Sequence, residues 1–155
     1  MLKKGIGLLL LVLTSYLTGC ASVPMATVEE DIAKKQFNAP PPHLSGLYIY
    51  RNTNFGAALK KNISIDGQII GESAPMTFFY KTLEPGTHSI STESEFSDNS
   101  LQLKTEAGKN YYVKQIIKLG MFVGGADLIP VDEIEGRNGV LECKLAKENP
   151  LLSPK

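Results

Sequence analysis

The chain has 155 residues, sixteen basic and sixteen acidic side chains, 43% hydrophobic residues and two cysteines. No excess of cations is available for a nucleic-acid stripe or for attraction to anionic lipid headgroups. Two cysteines permit one disulfide at most, and the length suits one domain held by apolar burial.

Lys3 and Lys4 precede the apolar run 6–13 (Ile-Gly-Leu-Leu-Leu-Leu-Val-Leu), which leads to Leu17-Thr18-Gly19-Cys20. Thr14, Ser15 and Thr18 interrupt the run, leaving it shorter than the ~20 apolar residues a membrane span needs. A positive start, a short apolar stretch and a small-residue end predict a secretory signal over residues 1–19. The final four residues resemble the lipobox of bacterial lipoproteins. The resemblance implies cleavage between Gly19 and Cys20, a thioether-linked diacylglyceryl group on the Cys20 thiol, and acylation of the freed amine by a palmitate-type chain. One myristoyl-sized chain binds a bilayer only marginally, at about 10⁴ M⁻¹, whereas two or more anchor stably. Ala21 stands where an inner-membrane lipoprotein carries aspartate, so the resemblance implies the periplasmic face of the outer membrane.

Residues 20–43 lose the apolar pattern. Pro40-Pro41-Pro42 favours an extended polyproline spacer, and the segment reads as a tether behind the lipidated cysteine. Within it, residues 27–37 form either an irregular linker or a short helix, with Thr27 as N-cap and Glu29, Glu30 and Asp31 in the first turn.

From residue 44 to 147 the period is two. Leu47-Tyr48-Ile49-Tyr50 is aromatic and β-branched, as strands favour. Asn62-Ile63-Ser64-Ile65 runs through Asp66-Gly67 into Gln68-Ile69-Ile70, a strong hairpin signal because glycine accepts the positive φ the turn requires. Thr77-Phe78-Phe79-Tyr80-Lys81 precedes the turn Glu84-Pro85-Gly86. Residues 87–96 alternate, with His88, Ile90, Thr92 and Ser94 on one face and Glu93 and Glu95 on the other. Leu101 and Leu103 share a face, and the turn Ala107-Gly108-Lys109-Asn110 enters residues 111–118. There Tyr111, Val113, Gln115 and Ile117 oppose Tyr112, Lys114, Ile116 and Lys118.

The apolar segment 119–125 is either a core strand or an exposed loop. Residues 128–134 continue as a strand, or Asp132 opens a helical turn. Arg137-Asn138-Gly139 marks a turn before 140–145, which places Leu141, Cys143 and Leu145 on one face. Residues 148–155 read as a flexible tail. Short strands punctuated in this way predict an all-β fold, an antiparallel β-sandwich, not alternating βα units. Each buried Ile, Leu, Val or Phe contributes roughly 1.5–3 kcal/mol before chain entropy is subtracted.

The strand–Asp-Gly–strand of residues 63–71, followed by Leu83-Glu84-Pro85-Gly86-Thr87-His88, resembles PEGA-like and transthyretin-like sandwich modules. With Ala107-Gly108-Lys109-Asn110-Tyr111-Tyr112-Val113 added, the stretch 46–145 is similar to the bacterial lipoprotein family DUF2846. The resemblance implies a fold and carries no catalytic residue.

Few residues offer chemistry. His43 lies beside the prolines and reads as a solvated loop residue, while His88, next to a turn and facing with Ile90, reads as a rim residue. No ligand spacing surrounds either histidine, so no metal or cofactor is expected. Cys143 reads as a small core hydrophobe whose thiol resists ionisation. Glu93, Glu95 and Asp98 form an acidic cluster short of the oxygen count that calcium requires. Residues 120–125, and Tyr112 with Lys114 and Lys118, remain as interaction surfaces. The expected protein is a non-enzymatic, lipid-anchored envelope module, binding or assembling with an envelope protein or peptidoglycan and not with nucleic acid. The rival is a carrier of a small apolar ligand, which requires a cavity between the sheets.

Overall fold

The computed structural model describes residues 21–121 and 124–149. Nine strands follow one another: β1 Ser45–Arg51, β2 Lys61–Ile65, β3 Gln68–Ser73, β4 Thr77–Leu83, β5 Gly86–Thr92, β6 Asn99–Thr105, β7 Asn110–Lys118, β8 Gly125–Val131 and β9 Lys144–Leu145. Helix α1 spans Val28–Lys34, and helix α2 spans Glu133–Glu142 between β8 and β9. The strands form two sheets, a five-stranded one in the order β8-β7-β1-β4-β9 and a four-stranded one in the order β3-β2-β5-β6. They pack face to face, so the all-β sandwich expected from the alternation is present.

Pairing in the four-stranded sheet is antiparallel throughout. The larger sheet departs from the antiparallel expectation, because β1 pairs parallel with β7 and β4 parallel with β9. The chain leaves the larger sheet after β1, returns for β4 and leaves again for β5 and β6, and β7 then re-enters it at the end where β1 began, with Gly46 opposite Asn110. Alternation within a strand carries no record of such a return.

Leu47 and Ile49 of β1, Ile63 and Ile65 of β2, Phe79, Ile90, Val113 and Leu128 form the core between the sheets. A polar tie crosses this core. Ser73 donates to Gln115 Oε1 at 2.5 Å, and Gln115 Nε2 donates to Thr92 Oγ1 at 2.7 Å. These buried groups are satisfied across the two sheets, which keeps them from being a net cost. From the β4 sequence Phe78 and Tyr80 are expected to fill the space between the sheets; instead Phe79 faces the second sheet, whereas Phe78 and Tyr80 face outward. When apolar residues lie on both faces of a strand, alternation cannot tell which face is which.

That outward face is a second core. Tyr48, Tyr50, Phe78 and Tyr112 pack with Val140, Cys143 and Leu145, flanked by Phe37 and Tyr80. Tyr48 and Tyr112 stack with ring centroids 5.1 Å apart and planes 12° from parallel. The reading of Tyr112 as part of an exposed recognition surface is therefore corrected: only 2% of it reaches solvent.

Two segments read as surface structure make this cover. Residues 21–43 are not a free spacer. Met25 bridges Ala146, Ala26 N–H donates to the Leu145 carbonyl at 3.0 Å, and the Tyr48 hydroxyl donates to the Lys34 carbonyl at 2.9 Å. Asp31 Oδ1 accepts the Leu145 N–H at 2.8 Å, and Pro40 is buried. Helix α1 carries the capping box of Thr27 and Glu30, so the helical reading of this stretch holds.

The other segment is α2: the helical turn opening at Asp132 is present, and it continues through residues 137–142, where a turn and a strand were expected. Asp132 caps it by accepting the Glu135 N–H at 2.8 Å. A turn signal becomes helical because Gly136 and Gly139 let its backbone lie directly on the sheet. A Cβ on Gly136 would enter the Tyr112 ring, and one on Gly139 the Tyr50 ring. The face changes accordingly: Val140 is fully buried and Leu141 is 54% exposed.

The Asp66-Gly67 hairpin is as read, with φ of 51° and 79° at the two turn residues and Ile65 opposite Gln68. The turn at 84–86 joins no paired strands. It carries the chain from β4 in one sheet to β5 in the other.

Gly136→Ala and Gly139→Ala are expected to destabilise the protein by about 1–3 kcal/mol through overpacking, against the ordinary gain of up to ~1 kcal/mol for Gly→Ala within a helix. Thermal unfolding reads the sign directly. Gly67→Val is expected to cost more than the ~0.4–1 kcal/mol normally gained by stiffening the chain, because φ is positive there although no atom crowds the position. A Gly67→Val variant melting with the parent would remove the strained-turn reading.

Candidate functional site

Strand direction brings the loops 52–60, 74–76 and 93–98, together with residues 119–121 and 124, to one end of the sandwich. Arg51 organises this end. It closes β1 with no solvent exposure, and its guanidinium donates to the carbonyls of Leu59 at 2.8 Å, Phe55 at 3.1 Å and Gly56 at 2.8 Å. Burial lowers its pKa. A guanidinium nevertheless stays protonated, and the three carbonyl dipoles replace the water it has lost. The loop 52–60 is thus wrapped around a buried cation.

Neighbouring loops are tied to it. A Cβ on Gly56 would touch Ile117, and one on Gly124 would overlap Leu59. Glu95 accepts the Met121 N–H at 2.8 Å, and Asn99 donates to the Ala126 carbonyl at 2.6 Å. The N-terminal strand of chain arrives here too, with Ala21 N–H donating to the Ala57 carbonyl at 2.9 Å. Between Ala21, Val23 and Met25 on one side and Ala74, Pro75 and Met76 on the other lies a cleft of about 340 Å³. Phe55, Phe96, Leu119 and Met121 project from this end and are 51%, 79%, 87% and 79% exposed.

The opposite end carries His88. Its Nδ1 lies 2.7 Å from Asp66 Oδ2 and its Nε2 lies 2.8 Å from the Glu84 carbonyl, while Asp66 Oδ1 accepts the Ser89 N–H at 2.9 Å. Both ring nitrogens face acceptors, so only the imidazolium donates both bonds. Burial pulls the His88 pKa down, but the Asp66 and Glu84 hydrogen bonds outweigh it and the net shift is upward. The hydrogen bond from His88 holds the Asp66 carboxyl below its usual range. This clamp joins the β2–β3 turn to the chain leaving β4. A cleft of about 330 Å³ beside it is lined by Ile65, Asp66, Gln68, Lys81 and Glu148, with Lys81 and Glu148 paired at 2.7 Å.

The remaining sequence candidates scatter. Gly19, Cys20 and the two residues 122–123 lie outside the described residues. Leu119 and Met121 are exposed, whereas Gly125 is buried and opens β8, so the described part of the apolar segment is an exposed loop that leads into a strand. His43 is exposed beside the prolines, far in sequence from the His88 clamp. Cys143 is buried, donates to the Arg51 carbonyl at 3.4 Å, and burial pushes its thiol up to about 12. Glu93 and Glu95 follow the end of β5 and belong to a loop, not to a strand face. Lys114 pairs with Glu135 at 3.1 Å and Lys118 with Asp127 at 2.5 Å. Among the described residues no three His, Cys, Asp or Glu side chains converge as a metal set, and no helix is long and apolar enough to cross a membrane. Arg51 escaped the sequence reading because a strand-terminal arginine ordinarily ends in solvent. The His88–Asp66 pair escaped it because 22 residues separate the partners.

The fold and these two ends define a small β-sandwich with an added helical cover. Residues 43–126 match DUF2846, a family described as proteins of unknown function, and the chain belongs to it. A protein of Haemophilus influenzae (strain ATCC 51907 / DSM 11121 / KW20 / Rd) described as uncharacterised is 55% identical over 130 residues, covering 84% of this chain and 77% of the relative. No solved structure matches. The family match runs from β1 to the start of β8, so it contains Arg51 and the His88–Asp66 pair but not α1 or α2.

The His88 clamp gives stability a pH dependence. With its folded pKa raised, its contribution is complete below the unfolded value of about 6.5 and is lost as pH rises through the folded value. The depressed Asp66 pKa acts oppositely, contributing above about 3.9 and failing as pH falls through its folded value. The clamp's contribution to the melting temperature is therefore expected to decline as pH rises above about 6.5, and His88→Gln is expected to flatten that decline. A parent and variant with parallel pH profiles would show that the clamp does not titrate.

Proposed function

We propose that this chain is a lipid-anchored lipoprotein of the cell envelope, held in the outer membrane facing the periplasm through Cys20. On this reading it is a non-enzymatic binding or assembly module. The carrying observation is that the Leu17-Thr18-Gly19-Cys20 tetrad stands immediately before Ala21, whose N–H is bonded to the folded domain. The lipid attachment point is then one residue from the sandwich. The same proposal takes the domain as a PEGA-like or transthyretin-like module, on the strength of its Asp-Gly hairpin and its Pro-Gly-x-His strand entry.

The non-enzymatic reading is supported by the state of the reactive side chains. The Cys143 thiol is buried and disfavoured as a thiolate, and both His88 nitrogens are engaged by the fold. The rival reading, a carrier of a small apolar ligand, finds less support. Leu47, Ile63, Ile90 and Val113 are fully buried against one another where a ligand between the sheets would sit. An envelope protein or peptidoglycan is the partner this proposal favours.

Intact-mass measurement of protein extracted from membranes is expected to show acyl groups on a chain beginning at Cys20, and Cys20→Ser is expected to leave unprocessed precursor. A mature N-terminus elsewhere, without lipid, would overturn the anchoring. Crosslinking in intact cells with mass spectrometry identifies the partner. A reproducible small-molecule adduct between the sheets would favour the carrier instead.

A further inference from the structure

We infer that the Arg51 end of the sandwich is a membrane-contacting surface: Phe55, Phe96, Leu119 and Met121 enter the interface of the bilayer that holds the lipid on Cys20. The inference rests on the anchoring proposed above and adds a second, protein-based contact to it.

Three observations place the bilayer at this end. The first is where the described chain begins. Ala21 is bonded to Ala57, in the same loop that carries Phe55, so a lipid on the preceding residue starts within one residue's reach of about 3.3–3.6 Å. No spacer separates anchor and domain, because residues 24–26 are strapped to residues 145–147.

The second is the distribution of apolar exposure. Leu119, Phe96 and Met121 are the three most exposed large hydrophobic residues among those described, and they lie on two different loops tied together by the Glu95–Met121 bond. Phe55 stands on a third loop, shaped by the Arg51 cage. Exposed apolar side chains elsewhere include Val28 with Ile32 on α1 and Ile134 with Leu141 on α2, each pair within a single helix and not gathered from separate loops. A cluster contributed by separate, mutually braced loops is the kind of patch that marks an interaction surface.

The third is charge. Glu93, Glu95 and Asp98 lie on the β5–β6 loop, while Lys60 is paired with Glu72 and Lys118 with Asp127. Lys144 is exposed beside the Ala21 cleft, but the three carboxylates outnumber it, so among the described residues this end carries no net positive charge to attract anionic headgroups. Its contact with lipid is apolar, reaching some 5–10 Å into the headgroup boundary as interfacial segments do, and it requires no anionic lipid.

The chain contains no tryptophan, so a single introduced one is a clean reporter. The experiment uses the full mature protein, extracted from membranes and reconstituted into phosphatidylcholine–phosphatidylethanolamine vesicles with brominated acyl chains, carrying Phe96→Trp, Leu119→Trp or Ile134→Trp. Ile134 is 77% exposed on α2 and serves as an equally apolar control away from this end. Emission from Phe96→Trp and Leu119→Trp is expected to shift to the blue and be strongly quenched, that from Ile134→Trp to stay unchanged, and addition of phosphatidylglycerol to add nothing. If the mass of the same sample shows acyl groups on Cys20 but all three tryptophans are quenched alike or not at all, the docking surface is overturned and the anchor stands. If the mass shows no acyl group on Cys20, the anchoring falls and the inference falls with it. A photoreactive residue at position 119 that labels a protein and no phospholipid in cells would also overturn it, making this end a protein-docking face.

Discussion

Strand β1 has to be buried on both faces, and the rest of the structure follows from that constraint. Its Leu47 and Ile49 point into the space between the sheets, while Tyr48 and Tyr50 point away from it, and every residue of the strand is buried. A two-sheet sandwich supplies only one of those faces. The second comes from α2, from Phe37, and from the N-terminal and C-terminal segments bonded to one another around Leu145 and Ala146. Three layers, not two, are required to shield aromatic rings whose exposure to water would forfeit most of their contribution to stability.

The cover also explains why two glycines stand inside a helix. A helix normally packs on a sheet through its own side chains. Here the side chains at the contact are those of the sheet, Tyr112 and Tyr50, and the helix offers only backbone at Gly136 and Gly139. The helix is held by packing and by the Asp132 cap more than by its own propensity. Residues 145–147 are held between this layer and the N-terminal strap, which in turn leads the chain to the Arg51 end. Burial of the β1 aromatics and the position of Ala21 are therefore consequences of one arrangement.

The two ends of the sandwich use charge differently. At one end a buried guanidinium with carbonyl partners gathers a loop whose apolar tip faces outward. At the other an imidazole shared between a carboxylate and a carbonyl fastens turns from both sheets. The guanidinium gathers carbonyls of the loop that follows it, and the imidazole joins a carbonyl four residues before it to a carboxylate 22 residues away; each converts an otherwise loose set of connections into a defined surface.

Local features were legible from the residues alone. Asp66-Gly67 specified its hairpin because few residue pairs accept positive φ in succession, and the Thr27–Glu30 spacing specified a helix start because both partners of the capping box lie within one turn. The period-two strands, and with them the sandwich, were readable for the same reason: each is decided by residues adjacent in the chain. Tertiary structure alone decided which apolar face of β1 and β4 turns inward, that β1 and β7 run parallel, and that Arg137-Asn138-Gly139 is helical. It also decided that Arg51 is buried, that His88 meets Asp66, and that residues 21–43 are strapped down. Each of these depends on groups brought together by chain return across the sheets, where long-range burial outweighs local preference and local sequence holds no trace of the partner.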